Sequence, residues 1–230
     1  MTDLTHRSLA EEQMDAPDLP AKTYDAVLAD LARVNIWTFA ARPTIGFLDR
    51  LAKRSDRLRI LDVGFGQGDM LRRIASWADR RGVMVDLVGI DLNSRSAPAA
   101  HAATPADLNI DYRTGDYADL AAEHWDVILS SLVAHHMSHP QLVAFLRFME
   151  THAKRGWLVN DLHRHRFAHT GFPLLARTIG AHRIVREDGT LSIARAYRPH
   201  EWPPILAEAG VTDARIARRF PFRLCVERCR

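Results

Sequence analysis

The chain has 230 residues, a length that usually makes one domain. Hydrophobic residues make up 47% of it, ample for one continuous core, and no apolar run approaches the ~20 residues of a membrane span. The net charge of +3, with acids interleaved among the arginines, argues against a nucleic-acid surface, and the acidic start carries no apolar export segment, so a cytoplasmic protein is expected.

Residues 1–18 are polar and read as poorly ordered. From Lys22 a helical pattern begins, with Val27, Leu28, Leu31, Val34 and Trp37 at helical spacing. Pro43 suits the start of a second helix carrying Ile45, Phe47, Leu48 and Leu51. Residues 1–55 are therefore expected to be an N-terminal helical extension, with the main domain over 56–230.

The next segment is the most informative. Ile60-Leu61-Asp62-Val63 is an apolar strand that runs into Gly64-Phe65-Gly66-Gln67-Gly68. A helix follows, with Met70, Leu71, Ile74 and Trp77 on one face. Glycine permits positive φ and lets a ligand approach the backbone closely. The free N–H groups of the following helix then face the ligand. Such a turn builds a nucleotide-type pocket at the carboxyl end of a strand.

A second strand, near 84–90, ends in Asp91. An acid there, roughly 20 residues past the glycines, is placed to bind a ribose diol. Further strands are expected near 109–113, 125–131 and 156–161, with helices near 68–81, 95–103 and 138–153. The alternation argues for a parallel sheet with helices on both faces. Residues 162–198 break the alternation. They hold an apolar helix over 166–179, a turn at Asp188-Gly189-Thr190 and a short strand over 191–197. Pro199 fits the start of a helix ending at Gly210. Residues 214–219 and 222–227 read as a closing hairpin. The basic cluster Arg218, Arg219, Arg223, Arg228 and Arg230 reads as a solvated strand face. Cys225 and Cys229 read as edge-strand or frayed-terminus residues, because a cytosolic setting disfavours a disulfide and two cysteines alone make a poor zinc site.

Four landmarks stand in order: Asp62-x-Gly64-x-Gly66-x-Gly68, Asp91, Gly115-Asp116, and Trp125-Asp126-Val127-Ile128-Leu129-Ser130-Ser131 running to His135-His136. Arg155-Gly156 then precedes the fifth strand. Over residues 57–215 this series resembles the class I S-adenosylmethionine-dependent methyltransferases of the small-molecule type. The segment Asn160-Asp161-Leu162-His163-Arg164 with the aromatic helix after it resembles a bacterial subgroup linked to polyketide-derived phenols and quinones.

The resemblance implies a Rossmann-like, seven-stranded, mostly parallel α/β sheet. Its last strand would insert antiparallel between the fifth and sixth, under an N-terminal helical cap or lid. It implies S-adenosylmethionine as cofactor, held by Asp62, Gly64, Phe65, Gly66, Gly68, Asp91, Leu92, Asp116, Tyr117 and Ser131. Residues 162–198 would be the acceptor-pocket insertion, and Trp37, His136, Phe167, Phe172 and Leu175 would line that pocket. The acceptor would be a small phenol or quinol methylated on oxygen. The alternatives are carbon methylation of a quinone-type ring and a silent cofactor-binding module. An NAD-dependent reductase would need G-x-G-x-x-G and a Tyr-x-x-x-Lys pair, which are absent. Nucleic-acid methylation would need an N/D-P-P-Y or Pro-Cys motif, also absent.

A phenol of pKa near 10 needs help to lose its proton at neutral pH, and histidine has the matching pKa. His135, His136, His139, His163, His165 and His169 all follow the fourth or fifth strand. His163 leads as general base, with His135 second. No metal is assigned, and a monomer or homodimer without a nucleic-acid partner is expected.

Overall fold

The computed structural model describes residues 4–52 and 57–230, and the expected domain boundary at 55 and 56 lies outside them. Two helices come first, α1 (Ala21–Trp37) and α2 (Arg42–Ala52). Strands and helices then alternate: β1 (Arg57–Val63), α3 (Asp69–Arg81), β2 (Met84–Asp91), α4 (Ser96–Ala103), β3 (Ile110–Thr114), β4 (Trp125–Ser131), α5 (His139–His152) and β5 (Ala153–Leu162). Three helices follow, α6 (Arg166–Thr178), α7 (Arg183–Arg195) and α8 (Trp202–Glu208), before β6 (Arg215–Arg219) and β7 (Arg223–Cys229).

The strands form one sheet in the order β3-β2-β1-β4-β5-β7-β6. Only β7 is antiparallel, pairing with β5 and β6. Both faces of the parallel strands are covered, which is why they read as continuous apolar runs rather than alternating ones. On one face Trp125, Trp157, Trp202, Phe145 and Leu146 are buried together. On the other, Phe47, Leu48, Leu71, Ile74 and Trp77 are. A third cluster, with Val27, Val34, Ala176, Ile184 and Val185, joins α1 to α6 and α7.

Local chemistry sets the helix ends. The Ser138 N–H donates to Gln141 Oε1 at 2.9 Å at the start of α5. Lys and Arg enrichment at a C-terminus complements the helix dipole, and α3 ends on Arg80 and Arg81. No helix among the described residues is long and apolar enough to cross a membrane.

Four expectations change. Residues 4–18 are not loose but strapped across the sheet. The Ser8 N–H donates to Ala194 O at 3.1 Å, and Arg7 Nη2 to His135 O at 3.1 Å. The expected turn at Asp188 and strand over 191–197 are instead the middle of α7 and its exit. The Asp188 carboxylate accepts from the Gln13 and Met14 N–H groups at 3.1 and 2.9 Å, so it serves the strap and not a turn. Gly189 lies inside that helix, and the Phe172 ring fills the space a Cβ would need, with Cε1 2.3 Å from that position. Cys225 and Arg223 are not on a solvated edge: β7 is an interior strand, and both residues are buried.

Candidate functional site

The turn between β1 and α3 folds as its glycines demand. Gly64 has φ +77° and Gly66 φ +55°, in the left-handed region that glycine tolerates. The Gly64 N–H donates to Ile90 O at 2.8 Å, tying the turn to β2. A Cβ on Gly64 would come within 2.4 Å of Val133 Cγ2. A Cβ on Gly66 would meet only Leu28 Cδ2, at 3.9 Å, so that glycine leaves open space.

The open space is a cavity of about 570 Å³ at the carboxyl ends of β1, β2 and β4. Gly64, Phe65, Gly66, Asp91, Leu92 and Ser131 line one side. His135, His136, Phe167, Phe172 and Leu175 line the other, where α6 and the turn after β4 come in. That volume lies within the usual range for small-molecule sites. Helix α1 adds Tyr24, Leu28, Leu31, Val34 and Asn35 to the wall.

The remaining expected residues sit elsewhere. Asp62 is buried behind the turn, and Gly68 packs against Tyr112. Asp116 is exposed and caps the next turn, accepting from the Ala118 N–H at 2.9 Å. Tyr117 packs on Phe145 and Phe148, with ring centroids 4.8 and 4.9 Å away. Trp37 points to solvent at 61% exposure. None of these is on the cavity wall.

Three carboxylates surround the glycine turn. Burial pushes the Asp62 carboxyl well above the usual range, and Asp69 and Asp91 push it the same way. Its Oδ1 has no hydrogen-bond partner among the described residues. Burial also raises Asp69 and Asp91. Asp91, on the cavity wall, is held by the Gly66 and Asn93 N–H groups, each at 2.9 Å, and its oxygens keep lone pairs beyond those bonds. Three carboxyls that burial makes costly to ionise, beside a small-molecule cavity, fit a cationic ligand whose charge favours their ionised form and whose hydroxyls donate to them. S-adenosylmethionine carries a sulfonium, an ammonium and a ribose diol, so the residues present fit it.

Opposite the turn, one carboxylate organises a histidine. Asp161 Oδ1 lies 2.7 Å from His135 Nδ1, and its Oδ2 accepts from the His135 backbone N–H at 2.8 Å. Burial works to raise the Asp161 pKa, but the His135 ring and the N–H groups of His135 and Leu162 outweigh it and hold the carboxyl low. An ionised Asp161 keeps the proton on Nδ1 and leaves Nε2 as the basic atom. Nε2 has no hydrogen-bond partner among the described residues and stands 3.7 Å from Glu12 Oε1.

Glu12, His135 and His136 could gather around a cation, their ligand atoms all lying within 4.8 Å of one another. The Arg195 guanidinium, 4.0 Å from Glu12, already supplies positive charge there. Glu12 and Asp15 belong to the polar start read as poorly ordered, and only the strap's path brings them to the site. Asn35, Thr38 and Arg223 also reach the wall without any sequence signal.

The structure does not bring His163 to the cavity. Its N–H donates to Phe222 O at 2.9 Å, and the residue is 8% exposed. Burial, with Arg218, His165, Arg198 and Arg164 close by, pushes its imidazole down to about 4. The unfolded chain takes up that proton near pH 6.5, so stability is full above that value. It is lost as pH falls from about 6.5 towards 4, by about 1–2 kcal/mol. Thermal melts of His163→Gln across that window should show a flatter acid limb than wild type. An identical limb would mean that other groups set it.

Residues 60–156 match the family model described as a methyltransferase domain. No curated protein sequence matches the chain. Among solved structures, the plantazolicin methyltransferase, in complex with a desmethyl analogue and S-adenosylhomocysteine, is similar with a TM-score of 0.65 at 15% identity. The alignment covers 88% of this chain and 74% of that one. Human N-acetylserotonin methyltransferase, with S-adenosylmethionine, gives 0.60 at 15% identity, covering 94% of this chain and 62% of that one. Magnesium protoporphyrin IX methyltransferase from Synechocystis PCC 6803, with bound S-adenosylhomocysteine, gives 0.53 at 16%, covering 94% and 90%. At these identities the likeness speaks for the fold alone. With the domain match over residues 60–156, it gives this chain the Rossmann-like fold of the methyltransferases.

Proposed function

We propose that the chain methylates a small aromatic acceptor, a phenol or quinol of the polyketide-derived kind, on oxygen, with His135 as general base. The observation that carries this reading is the Asp161–His135 pair at 2.7 Å on the wall of a mostly apolar cavity. When bound, S-adenosylmethionine supplies a methyl group on a good leaving group, so the protein's task is alignment and proton removal.

Each residue has a part in that task. Asp91 accepts from the ribose hydroxyls, and the Gly64–Gly66 backbone lets the cofactor lie close. Asp62 supports the turn from behind, and Asp69 offers negative charge to the cofactor's cationic end. Phe65, Leu92 and Ser131 complete that wall, and Asp116 is left for the adenine amino group at the exposed rim. Phe167, Phe172 and Leu175 receive the acceptor ring. His135 Nε2 takes the hydroxyl proton, and Asp161 stabilises the imidazolium that results. Helices α1 and α2, with the strap over residues 4–19, act as a lid that excludes water. We place the enzyme in the cytoplasm, as a monomer or homodimer.

A base of this kind also serves an acidic ring carbon, so the atom methylated is the point to test. The enzyme is given S-adenosylmethionine labelled with carbon-13 on the methyl, and a set of phenols, quinols and 1,3-dihydroxyarenes. The expected product carries the label in the chemical-shift range of an aryl methyl ether. A label found only in the range of a methyl on ring carbon moves the reading to C-methylation. No transfer to any aromatic acceptor overturns it.

A further inference from the structure

Arg223 opens β7, opposite Leu162 at the end of β5. That register sets it over the carboxyl ends of the sheet, where ligands bind in open α/β folds. It is 2% exposed, and it lines the large cavity. Its Nη2 donates to Thr38 Oγ1 at 3.2 Å. Nε and Nη1 meet no hydrogen-bond partner among the described residues.

The two nearest acids do not answer it. Asp161 is committed to His135 and to the Leu162 N–H, and Asp69 accepts from Asn35 Nδ2 at 3.4 Å. Burial pushes the guanidinium's pKa down, while Asp161 and Asp69 act the other way from a distance. Arginine nevertheless keeps its proton in proteins. A buried cation with unused N–H donors at the edge of a ligand cavity needs an anion to complete it. The planar guanidinium matches a carboxylate in a two-pronged contact.

We propose that Arg223 is the carboxylate-binding residue of this cavity, completed by the carboxylate of a bound small molecule. The proposal rests on the reading of the cavity as a cofactor and acceptor chamber. Two molecules could bring the group: the acceptor, or the amino-acid end of the cofactor. Position favours the acceptor. Strand β7 lies three places from β1 in the sheet, and Arg223 sits beside the residue that follows Asp161.

The test uses the full chain and two variants, Arg223→Met and Arg223→Lys. Each is first melted without ligand. Removing an unpaired buried charge leaves the melting temperature unchanged or raises it. Calorimetry then uses S-adenosylhomocysteine and 5′-methylthioadenosine, which lacks the amino-acid end. On protein loaded with either nucleoside, 4-hydroxybenzoate is compared with phenol.

If the acceptor brings the carboxylate, wild type prefers 4-hydroxybenzoate to phenol by about tenfold or more, the factor a charged hydrogen bond supplies. Arg223→Met loses that preference and keeps its affinity for S-adenosylhomocysteine. If the cofactor brings it, the same variant loses about tenfold for S-adenosylhomocysteine and nothing for 5′-methylthioadenosine. Arg223→Lys, which keeps the charge without the fork, falls between the two in either arm and serves should the Met variant not fold. Unchanged affinities for all four probes overturn the proposal, as does a lowered melting temperature with unchanged binding. Wild type that binds neither nucleoside speaks against the cofactor reading instead, and a charge-dependent preference for 4-hydroxybenzoate would still stand for Arg223.

Discussion

Replacing His135 by alanine lowers kcat by about 10²–10⁴-fold, the usual contribution of one general base. Affinity for S-adenosylhomocysteine stays near wild type, because the change leaves the glycine turn and Asp91 in place. Asp161→Asn has a similar effect on kcat for a different reason. An amide no longer requires the Nδ1 proton, so the ring can turn its acceptor nitrogen away from the cavity. The loss would also reach the turn after β4, since the same carboxylate holds the His135 backbone N–H and the Leu162 N–H. Steady-state kinetics with the acceptor identified by labelling checks both variants. Full activity of His135→Ala across pH 6–9 would remove the base and leave an acceptor that is already ionised, methylated through alignment alone.

Replacing Gly64 by alanine is the second large effect. The residue has φ +77°, and its new Cβ would lie 2.4 Å from Val133 Cγ2. The backbone strain costs about 1–3 kcal/mol. Crowding against Val133 adds about 1–3 kcal/mol, since the valine must move or the turn must. Either movement spoils the cofactor wall, because Gly64 and Val133 both line it. Urea unfolding should therefore show a loss of about 2–6 kcal/mol, and calorimetry a loss of S-adenosylhomocysteine binding. Gly66→Ala separates the two effects. Its Cβ meets only Leu28, at 3.9 Å, so little packing is disturbed. It retains more stability while its methyl occupies ligand space. Equal stability and binding in Gly64→Ala would mean that the turn is more plastic than its packing implies.

The sheet was legible because its signals are local. Apolar runs of strand length, a glycine turn and an amphipathic helix repeat in register with the chain, and the observed order β5-β7-β6 agrees with the antiparallel last strand expected from the resemblance. The strap and α7 were not legible because their logic is long-range. Asp188 and Gly189 are a turn signal when read alone. In the fold the carboxylate caps residues 175 and 174 positions earlier in the chain, and the glycine makes room for Phe172. Glu12 reads as a surface acid, and only its 2.8 Å bond from Ser192 Oγ and its place beside His135 show otherwise. Arg223 belongs to a basic stretch whose other members are partly or fully exposed, with Arg219 near Glu227 and Arg228 and Arg230 paired with Glu150. Its burial follows from β7 lying inside the sheet, which no residue type announces. For the same reason periodicity could not choose between His135 and His163. Each follows a strand, but one points into the cavity and the other into a cluster of arginines.

The central claim is that the cavity over β1 and β4 places a sulfur-bound methyl group before the Asp161–His135 pair. A crystal structure of the protein with S-adenosylhomocysteine tests it most directly. The ribose diol is expected on the Asp91 carboxylate, the ligand backbone against Gly64 and Gly66, and the sulfur facing His135 Nε2. A ligand bound away from Asp91, or one whose sulfur is turned from His135 with another side chain in its place, would contradict it.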